Sequence, residues 1–198
     1  RIAKRLYQLL PLSYQTKARH RRWIKNISPR ILQVSGSTLS TVPALNIPKT
    51  AATLDKDILI STSANPYISI IIPIYGNLDY TLNCLASIAA HTPLAEFEVI
   101  VVDDCSPDDS WEVLSQKVKG IRILRNNDNQ GFIRSCNSGA KEAKGQYLYF
   151  LNNDTAITEG WLDALLRTFR DFPGAGLAGS KLVYPDGRLQ EAGGIIWK

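Results

Sequence analysis

Short apolar runs alternate along residues 68–173 with stretches of helical period, and each run stops at polar residues or at a turn. The runs are Ile68–Tyr75, Phe97–Val102, Ile121–Leu124 and Gln146–Leu151. Such runs are typical of buried strands, and strands that alternate with helices usually form parallel sheets. The pattern predicts an α/β fold with a mainly parallel sheet flanked by helices. Pro73 cannot donate to a strand ladder, so it is expected to mark the end of pairing in the first strand.

The segments between these runs carry apolar residues at helical spacing. Asn77 is placed to cap a first helix, and Ser106–Asp109 supplies the start of a second. A third helix is expected to run from the polar turn 126–131 to about Lys144, with Gly145 as the glycine that ends it. The apolar stripes of the first two helices are Leu78, Leu82, Leu85 and Ile88, and then Trp111, Leu114 and Val118.

The last part of the pattern predicts a fourth helix followed by a hairpin. Thr158 is the expected cap of this helix, and Pro173 is expected to end it. Its apolar stripe is Trp161, Leu162, Leu165, Leu166 and Phe169. The hairpin is predicted over residues 182–189, because Pro185-Asp186-Gly187 has the composition of a tight turn.

Polar side chains are expected to gather where the predicted strands end. Ligands of open α/β sheets bind outside the carboxyl ends of the strands. That edge should bring together Tyr75, Asp103, Asp104, Asn153 and Asp154. The acidic pair can accept hydrogen bonds from a base or a ribose, and the tyrosine can stack on a base. The last carboxylate suits a hard divalent cation that keeps waters and takes phosphate oxygens. The edge is therefore predicted to be a nucleotide-and-metal site.

Composition is that of a globular chain, since 44% of the 198 residues are hydrophobic and 21% are charged. No apolar run approaches the roughly 20 residues that a membrane span needs, and no signal peptide is recognisable. Cys84, Cys105 and Cys136 lack the spacing of metal ligands, so we expect no disulfide framework and a reducing, cytoplasmic location. A chain without Met that stops within an apolar segment is expected to be a fragment, truncated at its C-terminus.

Charge is distributed unevenly along the chain. Residues 1–60 hold 11 Lys and Arg against two Asp, a net charge of +9, whereas the rest holds 12 Lys and Arg against 16 acids, a net charge of −4. Residues 1–30 are predicted to be a basic helical arm that either touches an anionic membrane surface or packs on a further domain. Without a stacking platform or groove-reading motif, we expect no nucleic-acid partner. Residues 31–66 are predicted to be a linker or lead-in, and residues 67–198 an incomplete folded domain.

Residues 67–198 resemble the N-terminal part of a family 2 glycosyltransferase of the GT-A fold. The elements that carry the resemblance, in chain order, are Ser69–Tyr75, Val101–Ser106, Asn129–Phe132, Asn137–Gly139, Ala143–Gly145 and Phe150–Thr155. The segment Leu151–Thr155, and Tyr184–Gly187 followed by Ala192–Gly194, are most similar to the branch that includes rhamnosyltransferase-like enzymes of surface polysaccharide assembly.

The resemblance implies roles for individual residues. The nucleotide-binding residues would be Pro73, Tyr75, Asp104, Gly131 and Asn153. The first three would hold the base, Asn153 would hold the ribose, and Gly131 would let its loop approach the nucleotide closely. Asp154 would bind Mg²⁺ or Mn²⁺ at the diphosphate.

Two departures from the family pattern affect these roles. The Asp-x-Asp type signature of the family is here Asn152-Asn153-Asp154, with one carboxylate, which lowers the expected metal affinity. Cys136 stands where relatives often have Arg, and Arg134 is the nearby alternative.

The implied reaction is transfer of a sugar from a nucleotide-diphosphate sugar to a hydroxyl of a glycan or lipid-linked acceptor, in one inverting displacement. UDP and dTDP sugars are the expected donors, and the carboxylate base is expected beyond Lys198. Two alternatives stay open: a non-catalytic nucleotide-sugar-binding module, and a response-regulator receiver, whose acidic pair also follows an apolar strand. A dinucleotide- or methyl-donor-binding enzyme would need a glycine-rich turn after the first strand, where only Gly76 is found.

Overall fold

The computed structural model describes residues 57–192, which lie within one compact unit. Strands and helices alternate along it. They are β1 (Ile58–Leu59), β2 (Ile68–Ile74), α1 (Leu78–Ala90), β3 (Phe97–Asp103), α2 (Ser110–Lys117), β4 (Val118–Lys119), β5 (Arg122–Arg125), α3 (Phe132–Glu142), β6 (Tyr147–Phe150), α4 (Trp161–Asp171), β7 (Leu182–Val183) and β8 (Leu189–Glu191).

The main sheet has four strands in the order β5-β3-β2-β6, and every neighbouring pair is parallel. Every residue of β2 and β3 is buried, as expected for central strands covered by helices on both faces. Helix α3 packs on one face, where Ile71, Ile100 and Val102 are buried. The predicted α/β fold with a mainly parallel sheet is confirmed.

The prediction that Pro73 marks the end of pairing in β2 is wrong, because Pro73 lies beyond the end of one ladder and within the other. The β2–β6 ladder stops at Ile71, whose carbonyl accepts from the N–H of Leu151 at 2.9 Å, whereas the β2–β3 ladder continues to Ile74. Alternate residues of a parallel strand bond to opposite neighbours, so Pro73 faces the β6 side, as Ile71 does. Because β6 has already ended there, the missing N–H of Pro73 leaves no ladder bond unmade.

Several predicted helix ends are wrong. Asn77 does precede α1, but its backbone is left-handed, with φ of 57°, and its side chain makes no capping hydrogen bond. Helix α4 begins at Trp161 after Gly160, so Thr158 is not its cap, although its carbonyl accepts from the Trp161 N–H. Val118 begins β4 and pairs with Ile58 instead of extending the stripe of α2.

Gly145 does not end α3, which stops at Glu142. It lies instead where the chain crosses closely over the start of β2. A Cβ on Gly145 would be 2.5 Å from the Ser69 nitrogen and 2.6 Å from the Ile68 carbonyl carbon. Its N–H donates to the Ser69 hydroxyl at 2.8 Å.

A buried carboxylate completes this crossing. Glu98 Oε1 accepts from the Ser69 hydroxyl and from the Lys144 N–H, each at 2.7 Å, and its Oε2 accepts from Arg122 at 2.9 Å. Burial raises the pKa of Glu98, but these hydrogen bonds and the Arg122 charge outweigh it and hold that pKa below its ordinary value. Glu98 therefore ties the segment after α3 to the amino end of the sheet.

The described end of the predicted lead-in packs against the domain, since Ile58 and Ile60 are buried in its core. The predicted hairpin is present, with β7 and β8 antiparallel and Gly187 in its turn at φ of 81°.

The predicted basic arm of residues 1–30 lies outside the described residues. None of the helices within residues 57–192 is long and apolar enough to cross a membrane.

We expect Gly145→Ala to lower the free energy of unfolding by about 1–3 kcal/mol, because the new methyl group would overlap backbone atoms that cannot move without disturbing β2. Chemical denaturation measures the change. Gly174→Ala is the matched control: a Cβ there meets nothing within 4 Å, so a change within about 0.5 kcal/mol is expected. Equal effects of the two substitutions would contradict the close crossing at Gly145.

Candidate functional site

A cavity of about 370 Å³ opens at the carboxyl edge of the main sheet. Its lining residues are Pro73, Ile74, Tyr75, Asp104, Asn129, Gly131, Phe132, Ser135, Asn152, Asn153 and Asp154. All six residues assigned from the sequence to a nucleotide or a metal are among them. They come from the ends of β2, β3 and β6 and from the start of α3, so the parallel topology brings them together.

Asp104 is the most extensively bonded side chain of this cavity. It follows β3 directly and is only 4% exposed. Its Oδ1 accepts from the Asn126 side chain at 2.7 Å and from the Gln130 N–H at 2.9 Å, and its Oδ2 accepts from the Gly131 N–H at 2.8 Å. The carboxylate thus fixes the loop between β5 and α3 against the end of β3.

These hydrogen bonds determine the charge state of Asp104. Burial raises its pKa, but the donors from Gln130, Asn126, Gly131 and Ser135 together outweigh burial and hold the pKa below the ordinary value of 3.8. Asp104 is therefore a carboxylate at neutral pH. An ionised carboxylate can accept about four hydrogen bonds, so these four protein groups account for most of that capacity.

Asp103 was predicted to face the ligand with Asp104, and this is wrong. Asp103 is still part of β3, and successive side chains of a strand point to opposite faces, so it is fully buried and does not line the cavity. Its Oδ1 accepts from the Ser106 N–H at 2.8 Å, and Arg125 Nε lies 3.4 Å from its Oδ2. The Ser106 hydroxyl in turn accepts from the Gly76 N–H at 2.8 Å. Asp103 therefore holds the turn beside Tyr75.

The turns at this edge use uncommon backbone conformations. Gly76 and Asn77 follow β2 with φ of 65° and 57°, and Cys105 follows the acidic pair with φ of 60°. Gly131, before α3, has φ of 83° and ψ of 164°, a combination that is essentially restricted to glycine. A Cβ on Gly131 would meet no protein atom within 4 Å, so it is the backbone, and not lack of space, that demands glycine here.

Residues of α1 hold the Asn152–Asp154 turn in place through hydrogen bonds. The Asn153 side-chain amide donates to the hydroxyl of the buried Thr81 at 2.9 Å. The Asn152 carbonyl accepts from the Thr155 hydroxyl at 2.7 Å and lies 3.8 Å from the Cys84 sulfur. Burial raises the pKa of the Cys84 thiol to about 12, so it stays protonated. These contacts leave Asp154 exposed at the cavity.

The residues at Asp154 fit a divalent cation only in part. Among residues 57–192, no group of three or more His, Cys, Asp or Glu side chains is arranged to hold a metal ion. One exposed carboxylate with amide oxygens beside it is a hard donor set, and Mg²⁺ commonly binds through one or two carboxylates while waters and phosphates complete its shell. The set therefore fits a cation that arrives with phosphates, not one held by protein ligands alone.

Five cavity residues have no binding role assigned from the sequence: Ile74, Asn129, Phe132, Ser135 and Asn152. Ser135 is fully buried, and its hydroxyl accepts from Asn126 at 3.0 Å. The signal for it was the spacing of Phe132, Ser135 and Gly139, which lie on one face of α3. Cys136 is buried in α3 and is not among the residues that line the cavity, and neither is Arg134, the nearby alternative to the family arginine.

Comparison with known proteins identifies relatives over most of the described residues. The model of the family described as glycosyl transferase family 2 matches residues 69–196. Glycosyltransferase AglE of Haloferax volcanii is 31% identical over 132 residues, which are 64% of this chain and 43% of that protein. The poly(ribitol-phosphate) beta-glucosyltransferase of Bacillus spizizenii is 36% identical over 107 residues, 52% of this chain and 16% of that protein. The chain spans less than half the length of either relative.

A solved structure is similar over a comparable stretch. The crystal structure of residues 1–349 of S. aureus TarS has 26% sequence identity and a TM-score of 0.46, over 57% of this chain and 38% of that one.

We expect Asp104→Asn to lower the free energy of unfolding by about 1–3 kcal/mol, because the amide nitrogen would face a backbone or side-chain N–H that now donates to a carboxylate oxygen. The sign of the pH dependence follows from the lowered pKa. The charged form stabilises the fold above pH 3.8, and this contribution is lost as pH falls from there through the folded-state pKa. Denaturation of both proteins across that window measures it.

The difference in stability between wild type and Asp104→Asn should shrink as the pH falls. Asp109→Asn is the control, since Asp109 is exposed and makes no capping hydrogen bond at the start of α2. If the difference in free energy of unfolding between the two proteins stayed constant across the acidic window, the charge of Asp104 would not stabilise the loop before α3.

Proposed function

Because this chain belongs to glycosyl transferase family 2, we propose that residues 57–192 bind the nucleotide-sugar donor of a glycosyltransferase. The enzyme would transfer a sugar from a nucleoside-diphosphate sugar to a hydroxyl of a glycan or lipid-linked acceptor. One observation carries the proposal: the six residues assigned to nucleotide and metal from the sequence all line one cavity at the carboxyl edge of the sheet. The family assignment also removes the receiver-like alternative.

The base end of the donor is proposed to lie against Pro73, Tyr75, Asp104 and Gly131. Tyr75 is 52% exposed at the cavity, so its ring is available for stacking on a base. Asp104 lines the cavity as a carboxylate, an acceptor that suits an N–H on the edge of a base. Uracil and thymine offer such a donor, in line with a UDP or dTDP sugar.

The ribose and the diphosphate are proposed to follow towards the end of β6. Asn153 is oriented by its hydrogen bond to Thr81 and would contact the ribose. Asp154 would hold Mg²⁺ or Mn²⁺ beside the diphosphate. When bound, such a cation neutralises the charge that develops on the leaving group. Asp154 contributes one exposed carboxylate, which agrees with a cation that binds weakly unless the nucleotide is present.

The transfer is proposed to be a single displacement with inversion. The acceptor oxygen forms a bond to the anomeric carbon while the bond to the diphosphate breaks, and the nucleoside diphosphate leaves with the electron pair. The proton of the acceptor hydroxyl goes to a carboxylate base. Of the cavity carboxylates, Asp104 is occupied by protein donors and Asp154 is reserved for the cation, so neither is proposed as the base. The base is still predicted to lie beyond Lys198.

The sugar is proposed to be a hexose or a rhamnose, and the product a surface polysaccharide or related glycan. The name of one relative, a poly(ribitol-phosphate) beta-glucosyltransferase, supports a hexose and a polymeric acceptor. The rhamnosyltransferase-like motifs in the sequence support the second sugar. A cytoplasmic location, with peripheral membrane contact through residues 1–30, remains part of the proposal.

We expect the intact protein to bind UDP or dTDP more tightly with Mn²⁺ than without it, and Asp154→Asn to remove this difference. The reason is that the substitution takes away the cation's carboxylate while keeping the shape of the turn. Calorimetric titration with UDP, dTDP, GDP and ADP, each with and without Mn²⁺, measures it. Asp128→Asn is the control, because Asp128 is exposed in the neighbouring loop and does not line the cavity.

The outcomes separate the candidate functions. Binding together with release of nucleoside diphosphate from a sugar donor supports the enzyme. Binding without turnover in any acceptor mixture favours a non-catalytic nucleotide-sugar-binding module. Failure of the wild-type protein to bind any of the four nucleotides would rule out the donor site.

A further inference from the structure

Phe132 is an apolar side chain whose position the core does not explain. It is the first residue of α3, it lines the cavity, and 58% of it is exposed. Among residues 57–192, Phe132 and Tyr75 are the two aromatic residues that line the cavity. Single exposed apolar side chains are common on protein surfaces, so it is the place of Phe132 in the cavity, together with Tyr75, that suggests contact with a ligand.

The direction of Phe132 follows from the packing of α3. The buried residues of this helix are Ser135, Cys136 and Gly139. Phe132 precedes them by three, four and seven positions, so it belongs to the same face. Further along that face, Gly139 packs against Ile71 and Val102 of the sheet. The first turn of α3 therefore lies beyond the end of the sheet. On the face that packs against the strands further along, Phe132 instead faces the cavity.

The position of Phe132 along the cavity is fixed by its neighbours. The preceding residue, Gly131, donates its N–H to Asp104 Oδ2 at 2.8 Å. Three residues further, Ser135 contacts the Asn126 side chain, which also donates to Asp104. Phe132 is thus next to the carboxylate assigned to the base, whereas Asn153 and Asp154 come from the turn after β6.

We propose that Phe132 is a specificity-determining residue that forms an apolar wall of the nucleobase subsite and limits the subsite to a pyrimidine. The inference rests on the donor site proposed above. Base–aromatic contacts are strong and largely indifferent to the hydrogen-bonding edge of the base, so the ring adds affinity. Its bulk restricts the size of the base. Tyr75, from the end of β2, supplies the second aromatic surface of the same cavity.

The test is calorimetric titration of the intact protein with UDP, dTDP, GDP and ADP for wild type, Phe132→Ala and Phe132→Tyr. Phe132→Ala should bind the preferred pyrimidine diphosphate about tenfold more weakly. Its preference for that nucleotide over GDP and ADP should also fall, since the smaller side chain leaves room for a purine. Phe132→Tyr keeps the ring and should retain affinity within about twofold.

Two comparisons distinguish a contact with the base from a general effect. Ile133→Ala is the matched control, because Ile133 is the next residue, is 74% exposed and does not line the cavity, so it should leave both affinity and preference unchanged. The loss caused by Phe132→Ala should be equal with and without Mn²⁺, because a wall at the base does not touch the diphosphate. A loss that appears only with Mn²⁺ would overturn the assignment to the base.

The result also separates this inference from the proposed donor site. If wild type binds a pyrimidine diphosphate and Phe132→Ala binds it equally well with the same preference, the donor site stands and the wall is refuted. If wild type binds none of the four nucleotides, the donor site fails and the wall fails with it. A folded Phe132→Ala protein is confirmed by an unchanged thermal unfolding midpoint.

Discussion

Helix α3 is held at both ends by two buried carboxylates, Glu98 near the start of β3 and Asp104 directly after its end, and the candidate site depends on this arrangement. At its amino end, Asp104 accepts from the N–H groups of Gln130 and Gly131. At the other end, Glu98 accepts from the Lys144 N–H, and Ser69, itself a donor to Glu98, accepts from Gly145. Both carboxylates have a lowered pKa, so both are charged where they bind these donors. The helix is thereby fixed along β3, and its first turn is placed over the cavity.

The cavity follows from where the strands stop. The pairing of β2 with β6 ends at Ile71 of β2, two residues before Pro73. The pairing of β2 with β3 continues to Ile74 and Asp103. The unequal ends leave a recess between the end of β2 and the turn after β6. Left-handed backbone at Gly76, Asn77 and Cys105 turns the chain away at once, so that the recess stays open. Hydrogen bonds then fix the orientation of the polar side chains that line the recess. Asp104 is held by the loop before α3, and Asn153 is held by Thr81 of α1.

The sequence is sufficient to predict the sheet and the residues that line the cavity, but it is less informative about the contacts that each residue makes. Apolar runs bounded by polar residues are sufficient to locate four strands and the edge where they end, and burial on both faces accounts for the continuous runs of the two central strands, β2 and β3. Asp103 and Asp104 are adjacent in sequence, yet strand alternation sends one into the core and the other to the cavity. Gly145 is a residue type typical of a helix end. The structure requires glycine there for another reason, which is a close contact with the backbone at Ser69, more than 70 residues away in sequence. Phe132 could have been found only by extending the inward face of α3 to its first residue.

The most direct test of the account is a crystal structure of the intact protein with UDP and Mn²⁺. We predict that the uracil ring lies between Tyr75 and Phe132 with its N–H directed at Asp104, and that the diphosphate and the cation lie at Asp154. A nucleotide bound elsewhere, with the carboxyl edge of the sheet empty, would contradict it.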